Sequence, residues 1–150
     1  MELWFTERHT PNVKFSIRVD RQLYSAQSEF QRIDIFESAE FGRFLTLDGY
    51  MMLTERDEFI YHEMITHPAM AVHPAVRDVL IIGAGDGGVV RELSHYLEIE
   101  HIDLVEIDPL VVEACRQHLP QTAGKLDDPR LHIHYADGLK FVRAKDACYD

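Results

Sequence analysis

Over the first third of the chain, apolar and polar positions alternate in short runs, and beyond residue 54 the apolar positions recur at wider spacing. VKFSIRVD, RQLYSAQS, EFQRIDIFES and GRFLTLDGYMMLT are rich in Phe, Ile, Val, Tyr and Thr, and they predict β-strands. Turn signals at Asp20-Arg21, Phe41-Gly42 and Asp48-Gly49 separate them at hairpin spacing, so the strands form an antiparallel sheet. In FQRIDIF, Gln31, Ile33 and Ile35 share one face while Phe30, Arg32, Asp34 and Phe36 share the other. Neither face is wholly polar, which predicts a sheet covered on both sides.

After Thr54, Phe59, Ile60, Met64 and Ile65 recur at helical spacing as far as Pro68. The pattern predicts a helix starting near Thr54, with Thr54 as its N-cap and Glu55, Asp57 and Glu58 in its first turn. From Asp78 the order is strand (VLIIG), glycine turn, helix (GGVVRELSHYL), strand (HIDLVEID), helix (PLVVEACRQHL) and strand (LHIHYAD). Such alternation implies parallel strands joined by crossovers, a doubly wound sheet of the Rossmann type. The expected architecture is α/β: an antiparallel β domain over residues 1–54 and a Rossmann-like domain over 55–150 that ends after three parallel strands. A fourth strand is expected on the far side of the first.

Composition narrows the partners. The chain has 150 residues, 46% of them hydrophobic, and a formal charge of −11, which argues against nucleic acid and anionic membrane and favours cationic small molecules. Cys115 and Cys148 show neither metal-ligand spacing nor a paired pattern and are expected as buried thiols; the histidines show no ligand spacing either, so no metal is expected. His67 and His73 are expected at the end of the first helix. The N-terminus lacks a signal-peptide core, and no run approaches the roughly 18 apolar residues of a membrane span. A cytoplasmic location is expected.

The richest local signal is LIIGAGDGGVVREL, residues Leu80 to Leu93, in which Gly83, Gly85 and Gly88 form a nucleotide-type turn between a strand and a helix. Asp86 sits inside that turn, where it would repel a phosphate. A dinucleotide therefore fits poorly, whereas an adenosyl sulfonium ligand carries positive charge that Asp86 could hold. Glu106, 23 positions after Gly83 at the end of the second strand, is placed to take both ribose hydroxyls. Asp137, at the end of the third strand, is placed to accept from an adenine amino group, and Gly138 allows close approach beside it. For Asp137 a helix N-cap role is an equal rival, and Asp108 before Pro109 reads as a cap.

These segments carry a resemblance. LDGYMMLTERDEFIYHEMITHPAM, VLIIGAGDGGVVREL, VEIDPLVVEACRQHLP, DDPRLHIHYADGLKFV and, earlier, SEFQRIDIFES resemble, in this order, the polyamine aminopropyltransferases, specifically spermidine synthases of the bacterial type. The family's glycine loop is usually GGGDGG, so Ala84 is a small departure expected to leave the turn intact. The resemblance implies transfer of an aminopropyl group from decarboxylated S-adenosylmethionine, the co-substrate, to putrescine, giving spermidine and methylthioadenosine, with no prosthetic group. By motif position it implies Gln31, Glu106, Asp137 and Gly138 around the nucleoside, Asp86 on the aminopropyl ammonium, and Tyr61 and His62 facing the acceptor amine, Tyr61 assisting catalysis. It places the main base in a D-S-T-D-P-like segment beyond residue 150, so the 150-residue chain alone is expected to be inactive, with a complementing C-terminal half as a candidate partner. Homodimers or homotetramers through the N-terminal β domain are also implied. Two other readings stay open: an S-adenosylmethionine-dependent putrescine N-methyltransferase, disfavoured because Asp86 would repel the methionine carboxylate, and a non-catalytic nucleoside-binding or oligomerisation fragment.

Overall fold

The computed structural model describes residues 2–73, 75–144 and 148–150. The chain divides into two compact units, Met1–Glu58 and Phe59–Asp150.

In the first unit, β1 (Leu3–Thr10) and β2 (Val13–Val19) form an antiparallel two-stranded sheet, and β3 (Arg21–Gln27), β4 (Arg32–Ser38), β5 (Gly42–Leu47) and β6 (Tyr50–Thr54) form an antiparallel sheet in chain order. The Asp48-Gly49 turn has positive φ at both residues, 51° and 80°, the hairpin geometry that Asp-Gly favours. Asp48 also fixes the register across the sheet, since its carboxylate accepts the Arg32 N–H at 2.8 Å. Ile17, Val19 and Phe44 form the core with Phe5, Phe36, Phe41 and Met51 packed against them, and the Phe5, Phe36 and Phe44 rings meet at 5.2–5.6 Å. On β4, Ile33 and Ile35 are fully buried and Asp34 on the opposite face is buried too, so both faces are covered as the sequence predicts.

β1 was not predicted. Its inward positions include Glu7, which is buried, accepts the Met51 N–H at 2.8 Å and pairs with His9 Nε2 at 3.1 Å. A buried charge in the inward row breaks the apolar alternation that would have marked the strand.

The second unit starts on α1 (Glu58–Val72) and continues through β7 (Asp78–Ile82), α2 (Gly88–Leu93), β8 (His101–Glu106), α3 (Pro109–His118), α4 (Pro120–Ala123), β9 (Leu131–Tyr135) and α5 (Gly138–Arg143). The three strands are parallel, in the order β7-β8-β9. Antiparallel β followed by a parallel α/β sheet is the fold class that the pattern predicts. Ile81, Ile102 and Leu104 on one face of this sheet are buried, as are Val90 and Leu93 of α2 and Val111, Val112 and Cys115 of α3. α5 approaches the other face: Phe141 packs on His134, with ring centroids 4.9 Å apart, and a Cβ on Gly138 would overlap Ile82 Cγ2.

Tyr149 and Asp150 lie against this sheet. The Tyr149 hydroxyl donates to Asp103 Oδ2 at 2.6 Å, and Asp103 Oδ1 lies 2.8 Å from His134 Nε2. Burial, with Asp103 adding to it, raises the phenol above its ordinary pKa. The Asp150 N–H donates to the Asp78 carbonyl at 3.0 Å, while the neighbouring Arg77 carbonyl serves residues leading into β8. Successive residues of a strand face opposite edges, so Asp150 occupies the edge of β7 that β8 leaves open. That is the side on which the sequence places a fourth strand.

Three local expectations are corrected. α1 starts at Glu58, because Thr54 still belongs to β6 and donates its hydroxyl to Asp57 at 2.6 Å, and it runs through Pro68 to Val72. His67 accordingly lies within the helix. Cys115 is buried but Cys148 is exposed.

The tight passage of α5 over β7 gives a test. Gly138→Ala should lower stability by about 1–3 kcal/mol in urea unfolding, because the β-branched Ile82 has little χ1 freedom to yield. Ile82→Ala in the same chain should restore most of the loss, since it removes the methyl group that collides.

Candidate active site

The C-terminal ends of β7, β8 and β9 deliver the glycine turn, Glu106 and Asp137 to one end of the sheet, where open parallel sheets bind their ligands. The turn leaves β7 through residues with positive φ, Gly83 at 80°, Ala84 at 66° and Gly87 at 86°. Gly83 donates its N–H to Val105 O at 2.8 Å, which ties the start of the turn to β8. Each later glycine makes room for a named neighbour. A Cβ on Gly85 would crowd the Glu106 carboxylate and Val111, one on Gly87 would meet Leu126 and Ala123, and one on Gly88 would overlap the His62 ring.

Glu106 is buried and both its oxygens are engaged: Oε2 accepts the Gly85 N–H at 3.1 Å and Oε1 the Asp108 N–H at 3.0 Å. The side chain thus joins the turn after β7 to the turn after β8. An ionised carboxylate accepts about four hydrogen bonds, so it can still take a diol. Asp108 is the N-cap of α3, accepting the Leu110 N–H at 3.1 Å, with Pro109 in the first turn as expected.

Asp86 folds back on its own turn. Its Oδ1 accepts the Gly88 N–H at 2.8 Å and lies 3.1 Å from His62 Nε2. Gly88 opens α2, so this carboxylate takes the place at the helix N-terminus that a phosphate would otherwise occupy. Both contacts fall on Oδ1, and Oδ2 keeps its acceptor capacity. Cys115 registers the field of the site: burial raises its thiol pKa, and the negative charges of Asp86 and Glu106 raise it further.

His62 comes from α1, whose inner face is unexpected. The buried residues of this helix are Glu58, His62 and Thr66, one turn apart, whereas Phe59, Ile60, Met64 and Ile65 are exposed. Tyr61 is 63% exposed beside the 2% exposed His62, with its ring edge-on to the imidazole at 5.3 Å. Asp137 caps α5 by accepting the Lys140 N–H at 3.1 Å, the role that rivals adenine binding in the sequence. It follows Ala136, whose N–H bonds to the Glu106 carbonyl at 3.0 Å, so Asp137 stands one strand over from Glu106. Gly138 is required for close approach, but the neighbour approached is Ile82.

Asp86, His62 and Gly88 therefore form one contact group, and Glu106 and Gly85 another, at the same strand ends. Gln31 belongs to the other unit, in the turn after β3, where its N–H and carbonyl both bond to Ser28 Oγ. Among the described residues, no group of three His, Cys, Asp or Glu side chains is arranged to hold a metal ion. The sequence gives no sign of the buried Glu92, of its contact with His67 or of the Tyr96 hydroxyl on the His67 ring, beyond RELSHY, a carboxylate and a histidine three residues apart directly after the glycine turn.

Ala84 holds a left-handed conformation that costs a residue with a Cβ roughly 1–2 kcal/mol. The turn is intact, as expected, but strained at this position. Ala84→Gly should raise stability by about 1 kcal/mol in denaturant unfolding, net of the greater freedom of glycine in the unfolded chain. Unchanged or lowered stability would show that the turn does not hold residue 84 at positive φ.

Known proteins resemble this chain along its whole length. Residues 58–150 match the Spermine/spermidine synthase domain, and residues 3–55 match the Spermidine synthase tetramerisation domain. The whole chain is 69% identical to a polyamine aminopropyltransferase of Alkaliphilus oremlandii and 65% identical to one of Clostridium perfringens, covering 53% of each. The crystal structure of spermidine synthase from Thermotoga maritima superimposes with a TM-score of 0.96 at 46% identity, over 99% of this chain and 52% of that one. A spermidine synthase in complex with the transition state analogue AdoDATO matches equally well. The chain spans about half the length of the curated relatives it matches. It belongs to the spermine/spermidine synthase family.

Proposed function

We propose that the strand ends bind decarboxylated S-adenosylmethionine and that the chain carries the nucleoside half of an aminopropyltransferase site making spermidine from putrescine. The observation that carries this reading is the Asp86 carboxylate seated on the Gly88 N–H. The protein's own anion fills the helix N-terminus, so the turn favours a cation where a dinucleotide would bring a pyrophosphate. Glu106, already positioned by two backbone N–H groups, accepts from the ribose hydroxyls. Asp137 and Gly138 flank adenine, the family resemblance adds Gln31 to the nucleoside contacts, and Asp86 Oδ2 takes the aminopropyl ammonium.

The reaction is an in-line displacement at the carbon bonded to sulfur. The acceptor nitrogen forms the new C–N bond, methylthioadenosine leaves with the C–S electron pair, and the attacking ammonium must first lose a proton to a base. His62, held by Asp86, and the exposed Tyr61 shape the acceptor side, with Tyr61 assisting. The main base is the aspartate of a segment beyond residue 150, so the chain alone binds without turnover until a C-terminal half completes it. Exposed Ile82, Leu139 and Val142 on the α5 side of the sheet, and Asp150 on the open edge of β7, support docking of such a half. The match to a tetramerisation domain supports homo-oligomers through the β unit, and two unpaired cysteines suit the reducing cytoplasm. Intact S-adenosylmethionine would set its carboxylate against Asp86, which disfavours methyl transfer.

Asp86→Asn separates the readings. In calorimetric titration of the 150-residue chain, decarboxylated S-adenosylmethionine should lose about tenfold in affinity or more, roughly 1.4 kcal/mol, while methylthioadenosine stays within about twofold. Equal losses for both ligands would remove Asp86 from the ammonium and leave it a shaper of the loop.

A further inference from the structure

α1 meets α2 at both ends of the shorter helix, and both contacts are polar. At the start of α2, His62 lies over Gly88 with Nε2 3.1 Å from Asp86 Oδ1. At its end, His67 faces Glu92, with Nε2 3.4 Å from Oε2. His62 and His67 are about 7.5 Å apart along α1, and Gly88 and Glu92 about 6 Å apart along α2, so the two contacts are in step. An apolar seam does not hold α1, because Phe59, Ile60, Met64 and Ile65 are exposed while His62 and Thr66 are buried. The contacts described between α1 and the two ends of α2 are therefore polar ones.

Glu92 is built for this duty. It is buried, and its two oxygens are divided between helices. Oε1 takes Arg91 of its own helix, from Nε at 2.8 Å and Nη2 at 2.7 Å, whereas Oε2 faces His67 of α1 and, at 3.7 Å, His95. The His67 ring is oriented by Tyr96, whose hydroxyl lies 2.8 Å from Nδ1. The Tyr96 hydroxyl on Nδ1 fixes the position of the ring and leaves Nε2 facing Glu92.

We propose that Glu92 and His67 are positioning residues: by anchoring α1 to the end of α2 they hold the His62 imidazole against Asp86, and thereby set the geometry of the carboxylate that receives the cationic end of the ligand. The proposal rests on the functional reading above for its ligand, but not for its first readout.

That readout is the ring-nitrogen NMR spectrum of His62 in the ligand-free 150-residue chain. Glu92→Gln keeps the size of the side chain and removes its charge; Tyr96→Phe removes a single hydroxyl and serves where the first variant folds poorly. Both should displace the His62 ring-nitrogen signals. Both should also weaken decarboxylated S-adenosylmethionine about fivefold or more while methylthioadenosine changes less than about twofold, a split that a general loss of stability would not produce. Unchanged His62 signals in both variants, or equal losses for the two ligands in variants that fold normally, would overturn the proposal. The functional reading fails separately, if Asp86→Asn itself leaves the two ligands undivided while the His62 signals still respond to Glu92.

Discussion

One buried carboxylate organises this end of the sheet. Glu106 accepts the Gly85 N–H with one oxygen and the Asp108 N–H with the other, and so welds the turn after β7 to the turn after β8. Much of the neighbourhood follows from it. Glycine at 85 leaves room for the Glu106 carboxylate, which a Cβ would crowd, and α3 starts where it does because Asp108, held by Glu106, caps it through the Leu110 N–H. Backbone N–H groups removed from water need such partners, and leaving one unpaired costs about 1–3 kcal/mol. The group that would read a ribose is thus already required to fold the crevice, and its orientation is set before any ligand arrives.

The second constraint is charge. A glycine turn opening a helix is ordinarily an anion site, and here Asp86 converts it by supplying the anion itself. With Glu106 close by, this end of the sheet carries two carboxylates; burial raises the pKa of the Cys115 thiol, and both charges add to that rise. The net charge of −11 points the same way but less specifically, since an acidic surface serves solubility as readily as recognition. Asp86 is informative because of where it sits.

What the sequence revealed depended on how local the physics was. The Asp48-Gly49 turn, the Asp108-Pro109 cap and the glycine turn are decided by a few adjacent residues, and each stands where it was expected. Features settled by distant partners were harder to read. β1 hid behind the inward Glu7, whose reason for burial is the Met51 N–H forty-four residues away. α1 showed an apolar stripe that suggested its buried face, yet the face it turns inward carries His62 and Thr66, because Asp86 gives His62 a partner in space that periodicity cannot show. Thr54 reads as a cap because it stands directly before the acidic Glu55, Asp57 and Glu58; its hydroxyl does reach Asp57, but pairing with Phe44 keeps it in the sheet. Asp137 admitted two readings, and the structure displays its capping of α5.

The central claim is that the crevice prefers an adenosyl ligand without phosphate. It is tested most directly by titrating the isotopically labelled 150-residue chain with methylthioadenosine and, separately, with AMP, following the backbone amide signals. Methylthioadenosine should shift Gly85, Asp86, Glu106, Asp137 and Gly138 together, and AMP should need at least about tenfold more ligand for the same shifts, because its phosphate meets the Asp86 charge. Equal response to AMP, or shifts that bypass these five residues, would contradict the account.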